Sequence, residues 1–469
     1  MEEYKAKFID FLMRTGALRV SGDFSLKSKR LSPWFVNIGD FNDGSSTAAL
    51  GGFYADAILA SGLEFDMLYG IPEKGNALAV ATAISMDRKG GNIPWFFTRK
   101  TPKDYGEATA LSPAERIKAL VVGRAPKEGQ RIVQLDDVFT AGDAKYEARK
   151  VLQSMGNFEL PLLAIAVDRM EVGLDGKAAI EEYERTTETR VVSVVNAMDV
   201  MEYLKSVPEG EALRRMQNYL RAYGTERVRG SLGALEQRVI DRNRSVVPAC
   251  DVSLEQFEEL VRQTAGIEGI GAYKVGFALG LRHGLPKVVE TARKHTTKPI
   301  IYDHQKAGTD IPDTGKEFAS VCKDAGIDTV ILFPQAGPET ERAWIYHALD
   351  HGLNVVVGGR MTHPAYAKSE GGFITDEGAL EMYRIAAQAG ISNFVVPGNK
   401  TDVIKQVREI VEAEGVAKPV FYAPGFVAQG GKIGDAAKVA GDRWHAIVGR
   451  GITQAEDMRK AALEHTSQL

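Results

Sequence analysis

Short apolar runs alternate with helix-periodic stretches along almost the whole chain. The apolar runs are rich in β-branched residues, which is typical of buried parallel strands. The stretches between them repeat apolar residues at helical spacing and often end in glycine, as in "FASVCKDAG" and "YRIAAQAG". The pattern therefore predicts an α/β architecture with parallel strands.

One segment interrupts this alternation. Residues 208–245 are helical in period and rich in charge, and they contain no strand-like run. We therefore predict a first domain over residues 1–207, a charged helical linker over 208–245 and a second domain over 246–469.

The second domain contains a regular series of strand-like runs, each followed by a helix-like stretch. The runs are "SVVPACDV", "GAYKVGFAL", "KPIIYD", "DTVILF", "LNVVVGG", "NFVVPG", "KPVFYAPG" and "WHAIVGR". This series predicts a (β/α)₈ TIM barrel, and a doubly wound open sheet is the alternative that the pattern leaves open. Catalytic residues of such barrels lie where strands end, and this sequence has Asp251, Lys274, Asp303 and Arg450 there.

Composition narrows the range of partners and compartments. The chain has 469 residues and a formal net charge of -4, so neither nucleic acid nor an anionic membrane is expected as a partner. Cys250 and Cys322 lack the spacing of a disulfide framework or a metal site, which indicates a reducing compartment. The N-terminal pattern is an amphipathic helix rather than a signal peptide, and no apolar run reaches membrane-spanning length. We expect a cytoplasmic protein that acts on small molecules.

The stretch "YDHQKAGTDIPDTG" places Lys306 between Asp303 and Asp310, directly after a strand. Lys274 lies inside another apolar strand, where a lysine requires a charged partner. An alternating array of lysines and aspartates would keep all four groups ionised. Such an array suits decarboxylation, in which an aspartate destabilises the substrate carboxylate and a lysine protonates the carbon left behind. The alternative is a solvated loop with an ion pair.

Two glycine-rich turns follow the last two predicted strands of the barrel. Gly449 and Arg450 precede a helix, and Gln429 stands between small residues and glycines in "APGFVAQGGK". Backbone N–H groups, a helix N-terminus and a guanidinium favour a phosphate site, although each turn alone could be a plain loop.

This half resembles the orotidine 5'-phosphate decarboxylase family from "ACDV" through "KVGF", "DIPDT" and "MTHP" to "PGFVAQGG" and "IVGRGIT". The resemblance implies that Asp251 and Lys274 meet the ribose hydroxyls, and that Lys274 joins the charged array. It also implies that Asp303 crowds the substrate carboxylate and that Lys306 protonates the carbon left behind. Asp310 would complete the array from a neighbouring subunit, and no cofactor would be needed. The other residues that it places on the substrate are Thr314 near the ribose, Thr362 on the pyrimidine, and Gln429, Gly449 and Arg450 on the phosphate.

The spacing of the charged motif departs from that family. The family has D-x-K-x-x-D, whereas this sequence has D-x-x-K-x-x-x-D, so a bulge or a longer loop has to absorb one extra residue on each side of Lys306. The spacing leaves open whether His304 or Gln305 faces the substrate. Related barrels that act on sugar phosphates through a Mg²⁺-bound enediolate are the alternative, and "MTHP" and "FVAQGG" argue against them.

The first domain contains the motif "RIVQLDDVFTAGDA". An apolar strand ends in Asp136 and Asp137, and the turn Thr140, Ala141, Gly142 opens the next helix. The turn and the helix N-terminus suit a 5'-phosphate, while the two carboxylates reach ribose hydroxyls. The alternative is a plain strand-to-helix loop with an acidic cap.

This motif resembles the phosphoribosyl pyrophosphate signature of type I phosphoribosyltransferases, whose fold is a parallel sheet flanked by helices. "DFSLKSKRLSPWFVN", "YGIPEKGNALAVATA" and "AVDRMEVG" narrow the resemblance to the orotate phosphoribosyltransferase family. It implies that Lys27 and Phe35 lie beside the base, that Lys74 faces the diphosphate, and that Arg169 meets the orotate carboxylate.

The stretch "FFTRKTPKDYGEA" resembles that family's mobile catalytic loop, with Tyr105 where the family has histidine. Arg99, Lys100 and Lys103 suit a departing pyrophosphate, whereas a solvated charged loop is the alternative. In the family this loop closes over a partner subunit's site, which implies a homodimer or higher homo-oligomer. Mg²⁺ would be held mainly by diphosphate and ribose oxygens, and no side chain is assigned to it.

The order of the two halves resembles that of bifunctional uridine monophosphate synthases. The implied reactions convert orotate and phosphoribosyl pyrophosphate to orotidine monophosphate, and that product to uridine monophosphate. A ligand sensor that controls transcription is the alternative of another class. Such a sensor would keep the diphosphate cradle without needing the loop cations, and it would usually carry a DNA-binding element.

Overall fold

The structure is a computed structural model. It describes residues 1–99, 120–140, 142–208, 210–233, 235, 237–426, 434–467 and 469, and it describes only the backbone of Gln305 and Lys306. The chain divides into two compact units, each described here by itself. The first unit comprises Met1–Gln217 and Gly224–Val228, and the second comprises Asn218–Tyr223 and Arg229–Leu469.

Two small antiparallel pairs precede the main sheet of the first unit. They are β1 (Leu18–Arg19) with β4 (Phe35–Val36), and β2 (Phe24–Ser25) with β3 (Leu31–Ser32). The main sheet has the strand order β10-β9-β8-β5-β6-β7. Its strands are β5 (Met67–Gly70), β6 (Trp95–Thr98), β7 (Val121–Gly123), β8 (Arg131–Leu135), β9 (Glu159–Asp168) and β10 (Arg190–Asn196). All neighbours are parallel except β6 and β7, so the predicted parallel sheet carries one antiparallel edge strand.

Helices surround this sheet. Their bounds are Glu3–Arg14, Gly44–Ala60, Lys74–Arg88, Asp143–Met155, Ala179–Thr187 and Ala197–Leu204, with a short 3₁₀ helix at Ile38–Asp40. Asp43 and Asn196 each accept two backbone N–H bonds at a helix start, because the first N–H groups of a helix have no partner within it. Strand β8 lies in the centre of the sheet, and its apolar side chains are fully buried.

The second unit contains a closed eight-stranded parallel barrel, which confirms the predicted TIM barrel and excludes the open sheet. The strands are β11 (Arg244–Cys250), β12 (Tyr273–Gly276), β13 (Ile300–Ala307), β14 (Thr329–Leu332), β15 (Asn354–Gly358), β16 (Asn393–Val395), β17 (Val420–Pro424) and β18 (Trp444–Val448). Pairing of β11 with β18 closes the barrel. Alternate residues of each strand face opposite sides, so that Val247, Ile301 and Val356 fill the interior while Val246 and Val330 pack against the helices.

Helices follow the strands around the barrel. Their bounds are Leu254–Thr264, Phe277–His283, Leu285–Arg293, Thr314–Asp324, Pro338–Asp350, Asp376–Gln388, Thr401–Ala413, Asp435–Ala440, Arg450–Thr453 and Met458–Thr466, with a 3₁₀ helix at Lys368–Glu370. Within the described residues, no helix combines the length and the apolar character needed to cross a bilayer.

The segment predicted as a linker contains the helices Gly210–Tyr223 and Glu226–Leu232. Its last residues belong to the barrel, since β11 already begins at Arg244. Val239 and Ile240 are buried against the barrel interior, where they close its N-terminal end. The helical linker therefore ends well before residue 245, because the barrel recruits this apolar pair as its base.

Candidate active sites

The acidic pair of the first unit lies at the C-terminal end of the central strand β8. Asp136 and Asp137 are both 7% exposed. The Asp137 carboxylate forms an ion pair with the ammonium of Lys74, the first residue of the helix Lys74–Arg88. The Asp136 carboxylate lies 2.6 Å from the ammonium of Lys145, in the first turn of the helix Asp143–Met155. Each acid therefore has its own lysine from a different helix.

Glycines allow the backbone to approach closely around this pair. A Cβ atom on Gly75 would lie 2.3 Å from the carbonyl oxygen of Leu135, and one on Gly70 would lie 2.3 Å from the carbonyl oxygen of Gly75. Gly142 caps the next helix at φ +85°, a left-handed conformation that favours glycine. The structure thus brings together Lys74, the two aspartates and the Gly142 turn. Thr140 is exposed beside them, and Ala141 lies outside the described residues.

Burial sets the electrostatics of the acidic pair. It raises the pKa of the Asp136 carboxyl, and the nearby Lys145 ammonium opposes that rise. Tyr54 donates a hydrogen bond of 2.7 Å to the Asp136 carbonyl oxygen, and burial raises the pKa of its hydroxyl well above the usual value. The carboxylates also accept backbone N–H bonds within the turn, from Asp137 and Val138 at 2.8 Å each.

Arg169, just beyond the end of β9, contacts the segment that carries the predicted base-side residues. Its guanidinium lies 4.0 Å from the Trp34 ring centre, donates to the Ser32 hydroxyl at 2.9 Å and pairs with Glu171 at 2.6 Å. Arg169 therefore joins the segment that the sequence assigns to the base, although most of its N–H donors are directed at protein acceptors. Phe35 is half-buried and stacks on Phe24, while Lys27 is exposed in the turn between β2 and β3.

The predicted catalytic loop is described only where it begins. Arg99 is exposed after β6, and its backbone N–H donates to the Leu120 carbonyl oxygen at 2.9 Å. Lys100, Lys103 and Tyr105 lie outside the described residues.

The charged residues of the second unit meet at the mouth of the barrel. The Lys274 ammonium donates to the Asp303 carboxylate at 2.8 Å, from neighbouring strands in which Gly276 is in register with Asp303. Lys274 is 6% exposed. A Cβ atom on Gly276 would lie 2.4 Å from the Asp251 carboxylate, so this carboxylate lies directly over the end of β12. Three of the predicted residues, Asp251, Lys274 and Asp303, are therefore neighbours.

A bulge accommodates the part of the stretched motif between Asp303 and Ala307. Asp303 pairs with Ile331 and Ala307 pairs with Leu332, so three residues of β13 stand opposite a single step of β14. The His304 ring nitrogen Nδ1 lies 2.5 Å from the Tyr302 hydroxyl and shares a hydrogen bond with it. Tyr302 lies on the side of the strand that packs against the helices. His304 therefore faces away from the mouth. The side chains of Lys306 and Gln305 lie outside the described part of the chain.

Asp310 and Thr314 occupy the loop after β13. Asp310 is exposed, and its carbonyl oxygen accepts a bond of 3.0 Å from the Thr340 hydroxyl. An open cavity of about 440 Å³ lies between residues 309–312 and 336–340. Thr314 begins the next helix, and its hydroxyl donates to the Ile311 carbonyl oxygen at 2.9 Å. The described hydrogen bond of Asp310 is thus made by its backbone, with the first turn of the helix Pro338–Asp350.

The remaining predicted ligands lie on loops around the same mouth. Thr362 is exposed after β15, and its carbonyl oxygen accepts from Asn399 at 3.1 Å. Arg450 is exposed at the start of a short helix that Gly449 caps. The phosphate partner predicted beside them, Gln429, lies outside the described residues.

Two groups were missed from the sequence. Lys145 is one, and the signal that could have revealed it is a cation in the first turn of a helix, where the helix dipole disfavours positive charge. The other is the buried Arg360, which pairs with Asp376 at 2.6 Å and lies 3.5 Å from Glu370, itself bound by Lys400 at 2.5 Å. This network holds the loop that carries Thr362.

These folds and strand-end sites define an α/β enzyme with two catalytic units. A protein from Nitrosococcus oceani named orotate phosphoribosyltransferase is 41% identical over 230 residues, which are 49% of this chain and 99% of the relative. One of the same name from Stutzerimonas stutzeri is 41% identical over 228 residues, 48% of this chain and 100% of the relative. The chain belongs to the orotate phosphoribosyltransferase family through its N-terminal half.

The barrel matches a second family. Residues 244–465 match the model of the "Orotidine 5'-phosphate decarboxylase / HUMPS family". A solved orotidine 5'-monophosphate decarboxylase from Methanocaldococcus jannaschii, complexed with the inhibitor BMP, is 24% identical and has a TM-score of 0.42. The match covers 48% of this chain and 98% of that one. A solved orotate phosphoribosyltransferase from Francisella tularensis is 28% identical with a TM-score of 0.41, over 47% of this chain and 100% of that one.

Proposed function

We propose that this chain catalyses two consecutive steps of de novo pyrimidine nucleotide synthesis. Its first unit joins orotate to phosphoribosyl pyrophosphate, and its barrel decarboxylates the resulting orotidine monophosphate to uridine monophosphate. The observation that carries the proposal is that one chain contains both family matches, transferase first. The product of the first reaction is the substrate of the second.

In the transferase unit, orotate displaces pyrophosphate at the anomeric carbon through an electron-poor sugar. Asp136 and Asp137 lie where they can meet the ribose hydroxyls. The Lys74 side chain is 63% exposed and can exchange the Asp137 carboxylate for the diphosphate. Arg169 would direct one remaining N–H donor to the orotate carboxylate. Arg99, Lys100 and Lys103 would balance the charge of the leaving group.

Mg²⁺ belongs to this proposal as a companion of the diphosphate. Within the described residues, no group of three or more metal-ligating side chains is placed to hold an ion. The two aspartates are each paired with a lysine, so this acidic pair does not offer a ready cage for the ion. Mg²⁺ usually binds through substrate phosphates and few protein ligands, and when bound it would neutralise charge on the leaving group.

In the barrel, Asp303 would crowd the substrate carboxylate and make its departure favourable. Lys274 pairs with Asp303 at 2.8 Å and holds it in place from a buried position. Asp251 and Lys274 would meet the ribose hydroxyls. Lys306 would donate the proton that replaces CO₂, with no cofactor. Thr362 would bind the pyrimidine, Thr314 would lie near the ribose, and Gln429, Gly449 and Arg450 would bind the phosphate.

The active form is proposed to be a homodimer or a higher homo-oligomer in the cytoplasm. The Asp310 side chain is exposed, which would leave it accessible to a neighbouring subunit's array. The proposal is tested by assaying the two half-reactions separately on the full chain. Orotate and phosphoribosyl pyrophosphate should yield pyrophosphate, and supplied orotidine monophosphate should yield CO₂. Failure of either half-reaction in the folded chain would remove that half of the proposal.

A further inference from the structure

Among the described lysines of the transferase site, Lys145 is the most deeply buried. It is 5% exposed, and its ammonium lies 2.6 Å from the Asp136 carboxylate. The same ammonium donates to the Val138 carbonyl oxygen at 2.6 Å and lies 5.5 Å from the centre of the Phe139 ring. One side chain from the helix Asp143–Met155 thus reaches back under the turn that precedes the helix.

The position is unfavourable for a lysine unless its positive charge is balanced by a nearby negative charge. Burial of an ammonium is costly, and the positive end of the helix dipole adds to that cost in the first turn. Asp136 is almost as buried, and its second carboxylate oxygen is occupied by the Asp137 backbone N–H. Both carboxylate oxygens of Asp136 therefore have a partner within the protein. By contrast, the lysine of the neighbouring pair, Lys74, is mostly exposed.

We propose that Lys145 is a positioning residue of the transferase site, an internal counter-ion that fixes Asp136 and its turn. This inference rests on the function proposed above. Because Lys145 stays paired with Asp136, Asp137 is the acid whose lysine partner, Lys74, can move to the substrate. Lys145 acts through Asp136 and does not touch substrate. Its loss should weaken binding of the ribose and diphosphate moieties, while binding of orotate, which depends on the Arg169 side, should change little.

A change in pH dependence follows from the same geometry. The groups that face Asp136 are Lys145, Asp137, Tyr54 from the helix Gly44–Ala60, and Tyr69 from β5. Lys145 is the cation among these that lowers the pKa of the Asp136 carboxyl. Without it, Asp136 would bind a proton at higher pH, so the acid limb of transferase kcat/KM should move to higher pH.

The test compares full-length Lys145→Met, Lys145→Gln and Lys145→Arg with the unmodified chain. Lys150→Met is the matched control, since it makes the same substitution on the exposed side of the same helix. The Met and Gln variants should raise KM for phosphoribosyl pyrophosphate about tenfold or more and KM for orotate less than about threefold. The Arg variant should recover most of the loss, and decarboxylation should be unchanged in every variant.

If the Met variant does not fold, the Gln variant tests the role of the charge. Glutamine keeps N–H donors for Asp136 and Val138 but carries no positive charge. A folded Gln variant with unchanged KM values and an unchanged acid limb would overturn the inference. Loss of the fold in all three variants would overturn it too, since Lys145 would then be purely structural. An unmodified chain without transferase activity would instead remove the proposed function, and this inference with it.

Discussion

The Lys274 and Asp303 pair is the part of the barrel site that the structure defines most fully. Lys274→Met removes the ammonium and keeps a side chain of similar length within a buried strand. The Asp303 carboxylate, whose side chain is 16% exposed, then loses a charge-assisted hydrogen bond of 2.8 Å. The variant should therefore have a weaker fold and a much slower decarboxylation.

The two effects have different sizes. Breaking a fully buried ion pair costs about 3–5 kcal/mol of stability. Because the Asp303 side chain keeps some contact with water, we expect a loss of about 1.5–3 kcal/mol, the range of one charge-assisted hydrogen bond. Loss of one preorganised electrostatic group lowers turnover by about 10²–10³-fold, or about 2.7–4 kcal/mol of barrier. Decarboxylation should thus fall further than stability.

The assay is CO₂ release from supplied orotidine monophosphate, with thermal unfolding measured in parallel. Lys287→Met is the control. Lys287 is an exposed lysine that pairs with Glu290 on the same helix, Leu285–Arg293. Pyrophosphate release by the transferase should be unaffected in both variants. If folded Lys274→Met decarboxylated within about threefold of the unmodified chain, the charged array would not be the source of catalysis.

Three further outcomes are expected. Lys306→Ala should leave orotate consumption intact but let orotidine monophosphate accumulate with almost no CO₂, a loss of decarboxylation of about 10²–10⁴-fold or more. His304→Ala should be much milder, because His304 faces Tyr302. Equal loss of decarboxylation in both variants would refute this assignment. Lys103→Ala should lower transferase turnover at least about tenfold and spare decarboxylation, and unchanged kinetics would make the loop a solvated one. EDTA should stop the transferase alone, and loss of decarboxylation would favour a metal-dependent barrel.

Strand-level features of the fold were predictable because they depend on local pattern. The eight apolar runs of the second half became eight barrel strands, since each run is buried on both faces. The fate of Val239 and Ile240 was not predictable in the same way. Two adjacent apolar residues after a charged helical stretch are too few to show the alternating pattern of a strand. Only the closed barrel provides the apolar surface that buries them.

The site divides along similar lines. Aspartates and lysines at strand ends were found from the sequence because parallel strands bring those ends together, as Lys274 and Asp303 show. Partners that depend on tertiary packing were missed. Lys145 meets Asp136 only because its helix folds back on the turn, and Arg360 meets Asp376 only through the loop after β15. The spacing of the motif predicts a bulge or a longer loop, but it does not predict which way the side chains of a bulge point. The outward direction of His304 is therefore known only from the structure.

The central claim is that one chain performs both steps in sequence. The most direct measurement is release of labelled CO₂ from carboxyl-labelled orotate by the purified chain with Mg²⁺, with and without phosphoribosyl pyrophosphate. The account predicts labelled CO₂ and uridine monophosphate in equal amounts, and only when phosphoribosyl pyrophosphate is present. Orotate that stays unchanged, or orotidine monophosphate that accumulates without CO₂, would contradict it.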